Sequence, residues 1–270
     1  MVERLAVNQR MGVQFSLFPP INFNNPLGRD YIIKNLVLSR FFYFSNKGGD
    51  YVGAETSPIK DLKQIKRLRE YLKDKNIVIY RYFIIAINTG FRANDMIDLT
   101  VADIKEAIRN GKFSIKEKKK TNMAIAKYED EELVLKKVKN RSVIINDTFK
   151  AFLYECIEGK KDWQYIFEST EKDKITGASK HYCIRHISRE IKLAATACGI
   201  EGNVSSHGLR KTYGYLLYTG YCKREEPQFA LLKVQDHFGH AKLEDTRRYI
   251  GLKKEEDIYG ASVLADATLK

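Results

Sequence analysis

Three short stretches in the last seventy residues carry side chains that suit attack on a phosphodiester: His207-Gly-Leu-Arg210, His237-Phe-Gly-His240 and Asp245-Thr-Arg-Arg-Tyr249-Ile. His207 and Arg210 lie three apart in a segment of helical periodicity, so both side chains share one face at the start of the helix. A base candidate is thereby set beside an anion clamp, because a guanidinium donates two parallel hydrogen bonds to phosphate oxygens and stays charged at any working pH. Each stretch alone has a plainer reading. An isolated His-x-x-Arg is more often a buried His or a surface Arg near a helix end, and with 16 tyrosines in the chain any one is more often a packing residue. His237 and His240 could suggest a metal pair, but no third ligand follows at a recognisable spacing. If the stretches converge, a phenolic nucleophile meets cations that can hold a phosphate, with no need for metal or nucleotide cofactor.

The elements that must position these groups are mostly helices. Ile59, Leu62, Ile65, Leu68 and Leu72 recur at helical spacing, with Ser57 as the expected N-cap and Pro58 at the first helical position. Asn76 to Asn88 reads as a buried helix stopped by Gly90, and Arg92 to Leu99 as a further helical turn and polar loop. Lys112 to Lys116 and Arg141 to Ile145 alternate as two strands of a small antiparallel sheet, joined by a long charged connection at 122–140 that is mobile or carries a short helix. Beyond Asp147, amphipathic helices are expected over Thr148–Ile157, Lys180–Cys198, Ser206–Tyr218, Pro227–Phe238 and Leu243–Leu252. The fold class is therefore α+β, mainly α-helical with a small antiparallel sheet. Residues 1–57, with Pro19-Pro20, an Asn-rich stretch and an apolar run from Tyr31 to Phe44, form a separate head of loops and one helix, and 58–270 the main domain.

Composition narrows the partner. Lys and Arg total 47 against 34 Asp and Glu, a formal charge of +13, and the pI is about 9.4; such an excess favours polyanions and makes their binding salt-sensitive. Hydrophobic residues at 44% can fill a core. Cys156, Cys183, Cys198 and Cys222 show neither CxxC spacing nor a secreted disulfide pattern and read as reduced thiols. The apolar runs are short and interrupted by Lys34, Arg40 and Arg81, so a soluble, cytoplasmic protein without membrane contact is expected.

Taken together, the motifs resemble the tyrosine recombinases, the phage integrases and their relatives, over roughly residues 58–260. Thr89-Gly-Phe-Arg92-Ala-Asn-Asp95 looks like the family's first box, with Arg92 catalytic and Asp95 at the place of a supporting acid. His207-Gly-Leu-Arg210 looks like the second box, Phe238-Gly-His240 like the Leu-Gly-His signature, and Tyr249 falls at the nucleophile's distance. The family's catalytic Lys sits on a β-hairpin before a Thr; Lys120-Thr121 fits, with Lys118 and Lys119 as immediate competitors.

The resemblance implies a site-specific DNA strand transferase working through a covalent 3′-phosphotyrosyl bond. Arg92 and Arg210 would oppose the charge on the nonbridging oxygens. A Tyr hydroxyl with an unperturbed pKa of about 10 must lose its proton during attack, to His207. Lys120 would protonate the departing 5′-oxygen, and His240 would bond a nonbridging oxygen or hold Tyr249. Double-stranded DNA is the implied partner, contacted by Lys118, Lys119, Lys211, Arg247 and Arg248. The assembly would be a homotetramer on DNA, monomeric when free, with Lys253 to Lys270 an arm on a neighbour. Three departures stand out: residues 1–57 are too few for the usual core-binding bundle, Cys222 to Pro227 is an extra segment, and the 122–140 connection is enlarged. The competing readings are a catalytically silent DNA-binding regulator, a topoisomerase-like or telomere-resolving relative, and a metal-dependent nuclease drawing on Asp95, Asp98 and Asp236.

Overall fold

A segment that the periodicity assigns to the first helix is drawn out of it by tertiary hydrogen bonds. In the computed structural model, which describes residues 55–125, 140–172 and 177–269, Ser57 N donates to Asn203 O at 3.1 Å and Ile59 N to the Thr212 hydroxyl at 2.8 Å. Residues 56–60 therefore run extended, Ile59 is buried and Leu62 exposed. Helix α1 (Leu62–Lys75) begins after Asp61, whose carboxylate accepts from Lys63 N at 2.8 Å. Asp61, not Ser57, is the cap. Residues 1–54, with the expected helix of the head, and 126–139 of the expected long connection lie outside the described residues.

Asn76 closes α1 and opens α2 (Ile77–Thr89): its N–H donates to Leu72 O, while its side chain accepts from Val78 N and Ile79 N. Helix α2 is apolar almost all round, with Ile79, Tyr82, Phe83, Ile85 and Ala86 buried, as befits a helix with neighbours on every side. It ends where Gly90 turns left-handed at φ 57. A Cβ there would meet the Tyr213 ring at 2.1 Å, so this turn needs glycine for two reasons. The chain then enters the short α3 (Ala93–Met96) with Arg92 at its N-cap position. Helix α4 (Val101–Asn110) follows behind a capping box of Thr100 and Asp103.

Strands β1 (Lys112–Ile115) and β2 (Arg141–Ile144) pair antiparallel with Phe113 opposite Val143, as the alternation predicts. The segment after β1 differs from expectation. Lys118 to Lys120 open a helix, α5 (Lys118–Ile125), instead of lying on a hairpin. Lys118 N donates to the Asp95 carboxylate at 2.9 Å and Thr121 N to Glu117 O at 3.0 Å, which turns the chain off the ladder immediately after Glu117.

Helix α6 (Asp147–Ile157), capped by Asn146, precedes a second two-stranded sheet of β3 (Glu168–Lys172) and β4 (Ser179–His181). This sheet has no alternating apolar pattern because none of its residues is buried, and it delays α7 (Ile184–Ala197) relative to the expected start at Lys180. The remaining elements are α8 (Ser206–Tyr221), α9 (Pro227–Phe238), α10 (Leu243–Tyr249) and α11 (Leu252–Leu269). The expected helix over Leu243–Leu252 is cut at Gly251, φ 80, so Tyr249 stands at a helix end.

Two apolar clusters hold these elements. The larger joins α1, α2, α4, α6, α7, the first sheet and Leu209 of α8. The smaller consists of Tyr213, Leu231, Val234, Phe238 and Ile250, with Tyr249 against it. Helix α8 belongs to both, and so carries the His207-Arg210 pair to the seam between them. Among the described residues no helix is long and apolar enough to cross a membrane.

Candidate active site

Arg210 projects from the first turns of α8, and its side chain is 3% exposed. Its Nη1 donates to Gly90 O, which fixes the guanidinium against the turn that precedes Arg92. The same guanidinium lies over the Phe238 ring, 4.7 Å from its centroid. Burial, with Arg141 and Arg92 nearby, pushes its pKa down to about 10, so it remains charged at neutral pH. Arg92 reaches the same place from the α2–α3 turn. Its Nη1 pairs with Glu117 Oε1, and Arg210 Nη2 lies 3.9 Å from that oxygen. The two boxes, 118 positions apart in the chain, thus share one carboxylate oxygen.

Tyr249 completes the group from the end of α10. Its ring stands edge-on to His207 at 5.3 Å, to His240 at 5.2 Å and to Phe238 at 5.1 Å between centroids. The residue is half-buried, and its hydroxyl is covered without a hydrogen-bond partner of ordinary geometry. Burial raises the phenol pKa, while Arg210, Arg92 and Arg141 pull against that rise. The oxygen is therefore held protonated in a field that favours its anion.

The two histidines are both kept neutral. Desolvation of the ring, then Lys211, Arg210 and Arg92, pushes His207 down to about 4, although the residue as a whole is exposed. A neutral imidazole can accept a proton. His240 lies at hydrogen-bond distance, 3.0 Å, from the buried Thr246 hydroxyl through Nδ1, stacks on Phe238, and is likewise lowered, by burial first and Arg210 second. His237 stands apart from the group, its two ring nitrogens each 3.3 Å from a tyrosine hydroxyl, those of Tyr213 and Tyr221.

Of the three adjacent lysines, Lys120 reaches this cluster: its Nζ lies 2.9 Å from Glu117 Oε2 and 2.8 Å from where a Cβ on Gly239 would stand. Gly239, left-handed at φ 62, leaves that space open. Lys118 pairs with Asp98, and Lys119 is exposed. Asp95 is buried, raised in pKa by that burial, and bonds the Lys118 backbone; it anchors the β1–α5 junction. Among the expected DNA contacts, Lys211 is buried, bonds Glu55 at 3.0 Å and lies 5.7 Å from the Tyr249 ring centroid. Arg247 is paired with Glu244 and Glu256, whereas Arg248 is exposed.

Two members of the cluster escape sequence reasoning. Arg141 opens β2, and its side chain is 9% exposed; it donates to Gly90 O at 2.9 Å and Thr89 O at 3.1 Å and lies 3.7 Å from Glu117 Oε1. Glu117 is the buried carboxylate that Arg92, Lys120, Arg141 and Arg210 surround. The signal for Glu117 was a lone acid inside the basic run Lys116 to Lys120. Arg141 follows a long connection and carries no local spacing signal.

This helix-rich domain thus gathers three arginines, two histidines, a lysine and a tyrosine around one buried carboxylate. The sequence profile of the phage integrase family matches residues 60–256. The chain belongs to this family, the tyrosine recombinases. It is 28% identical over 198 residues to the probable integrase/recombinase YoeC of Bacillus subtilis (strain 168), covering 73% of this chain and 91% of that protein. Among solved structures, XerA recombinase aligns at 17% identity over 92% of this chain and 76% of that one, with a TM-score of 0.49. The catalytic domain of bacteriophage HP1 integrase aligns at 18% identity over 72% and 87%, with a TM-score of 0.42.

Proposed function

We propose that this recombinase cuts and rejoins specific DNA sites through a covalent 3′-phosphotyrosyl bond at Tyr249, using neither metal nor ATP. The observation that carries the reading is the position of the Tyr249 ring, against His207 and His240 and beside Arg210 of the same chain. These positions support a reading in which nucleophile, base and anion clamp come from one protomer.

The chemistry follows from these positions. Arg92 and Arg210 hold the nonbridging oxygens and offset the charge that accumulates on them in the transition state. As the Tyr249 oxygen bonds to phosphorus, its proton passes to His207, which is neutral at physiological pH. The bond to the 5′-oxygen breaks, and Lys120 gives that oxygen its proton; His240 bonds a nonbridging oxygen and steadies the tyrosine. Asp95 supports the site by fixing the junction from which Lys120 projects. The phosphotyrosyl ester conserves the bond energy, so a second 5′-hydroxyl can attack it and restore the DNA.

Double-stranded DNA is the partner, drawn by the net charge of +13 and touched by Lys118, Lys119 and Arg248, with Lys211 and Arg247 joining once their carboxylate partners yield. A free monomer assembles as a tetramer on DNA in the cytoplasm, with Arg92 to Tyr249 repeated four times. Helix α11 serves as the arm to a neighbour, since Ile258, Tyr259, Val263 and Leu264 on it are exposed. The chain is divided into an atypical core-binding head, 1–57, and the catalytic domain with its arm, 58–270.

A nicked suicide duplex built on sequence flanking the gene, incubated with the protein in EDTA, tests the proposal. A protein–DNA adduct that survives denaturation is expected. Cleavage that stops in EDTA and leaves no adduct overturns it.

A further inference from the structure

Glu117 lies where the site's cations converge. Its carboxylate is 1% exposed; Oε1 pairs with Arg92 Nη1 and lies 3.7 Å from Arg141 Nη1 and 3.9 Å from Arg210 Nη2, while Oε2 lies 2.9 Å from Lys120 Nζ. Arg92 and Arg210 are the two guanidinium groups that a backbone phosphate would need, and a carboxylate offers them the same charge and the same forked bonding as a phosphate. Burial alone would push the Glu117 carboxyl up, but Lys120, Arg92 and Arg210 together outweigh it and hold the group below the usual range. It is an anion at neutral pH.

We propose that Glu117 fills the phosphate site of the free protein as an internal anion and is expelled when a DNA phosphate binds, so that loading of the site moves the β1–α5 junction. The inference rests on the reading of this site as a phosphodiester transferase. A carboxylate that served only to brace Arg92 would have no need to reach Lys120 and stand near Arg210 as well. Two anions held between the same guanidinium groups repel each other strongly in a buried site. The junction has little apolar packing to hold it in place: Glu117 falls between the end of β1 and the start of α5, and α5 has no buried residue in either apolar cluster. What ties it down is the bond from Lys118 N to Asp95, the exposed Lys118–Asp98 ion pair, the Thr121 bonds to Glu117 O and the Glu117 side-chain contacts themselves. Expulsion of Glu117 would also release Lys120 to face the phosphate.

Glu117→Gln keeps the size and removes the charge. Inorganic phosphate, titrated into the free protein by calorimetry at low salt, should bind the variant about tenfold tighter than the wild type or better, since a competing buried charge is gone. Binding of a duplex should tighten in the same direction. Equal or weaker phosphate binding by the variant overturns the proposal and leaves Glu117 as a brace for Arg92. Should the variant not fold, hydrogen exchange at the Lys118 and Thr121 amides of the wild-type protein decides. Faster exchange with phosphate present supports displacement, and unchanged or slower exchange contradicts it. Adduct formation at Tyr249 is read separately, so tight phosphate binding by the variant without any adduct would count against the transferase reading and not against displacement.

Discussion

The rings of Tyr249 and His207 meet edge to face, with centroids 5.3 Å apart and planes at 86°, although 42 positions separate them in the chain. The contact joins the end of α10 to the start of α8 and places the phenol beside a neutral imidazole. In the function proposed above, this pair is the one through which the phenol would lose its proton.

Tyr249→Phe removes one oxygen from this arrangement and little else, because the ring contacts with His207, His240 and Phe238 remain. Covalent attachment should vanish on a denaturing gel while duplex affinity, measured by anisotropy, stays within about twofold. An adduct that persists would place the nucleophile elsewhere, with Tyr259 next in line.

Arg210→Lys should slow single-turnover cleavage by about 10²-fold or more. A lysine ammonium is a point charge and cannot reproduce the guanidinium's two parallel bonds to a phosphate while also reaching Gly90 O, to which Arg210 Nη1 donates. Cleavage at the wild-type rate would remove Arg210 from the site.

Gly90→Ala should destabilise the fold by roughly 2 kcal/mol or more, since it combines a left-handed backbone with a Cβ driven into a buried ring. Urea denaturation of the purified variant checks this. A midpoint equal to that of the wild type would mean that the α2–α3 turn relaxes freely.

The pH dependence follows from His207. Its value is about 4 in the folded protein and about 6.5 in an unfolded chain. A depressed value means that the unfolded chain binds more protons between these limits, so the contribution of His207 to stability is whole above about 6.5 and is lost as pH falls through about 4. The base is protonated over the same low range. Cleavage should therefore hold from neutral pH down to about 5 and fall only as pH approaches 4. An acid limb centred on the ordinary imidazole value would contradict a desolvated His207.

Much of the fold was legible because it rests on local signals. The apolar run from Ile77 to Ile87, Pro227 at the start of α9 and the alternation at Lys112 to Ile115 each announce their element directly. Misses occurred where distant contacts prevailed. Ser57 looks like a cap, but its N–H is taken by Asn203 O, and Lys118 to Lys120 turn helical because Asp95 holds the Lys118 backbone. The β3–β4 sheet buries no residue and so carries no periodicity to read. In the site, the family resemblance pointed to Arg92, His207, Arg210, His240 and Tyr249; Tyr249 packs against His207 and His240, and Arg92 and Arg210 meet at Glu117. Arg141 and Glu117 come from a strand start and a charge run, and their meeting with Arg92 is a product of the β1–β2 pairing, invisible until the chain is folded.

The central claim is that the Tyr249 oxygen becomes bonded to a DNA phosphorus. Trapping the adduct on a nicked duplex, digesting the protein and sequencing the nucleotide-bearing peptide by mass spectrometry tests it most directly. The account predicts a single modified peptide spanning Leu243 to Leu252, with the added mass on Tyr249 at a 3′-phosphate. A nucleotide found on any other residue, or carried through a 5′-phosphate, would contradict it.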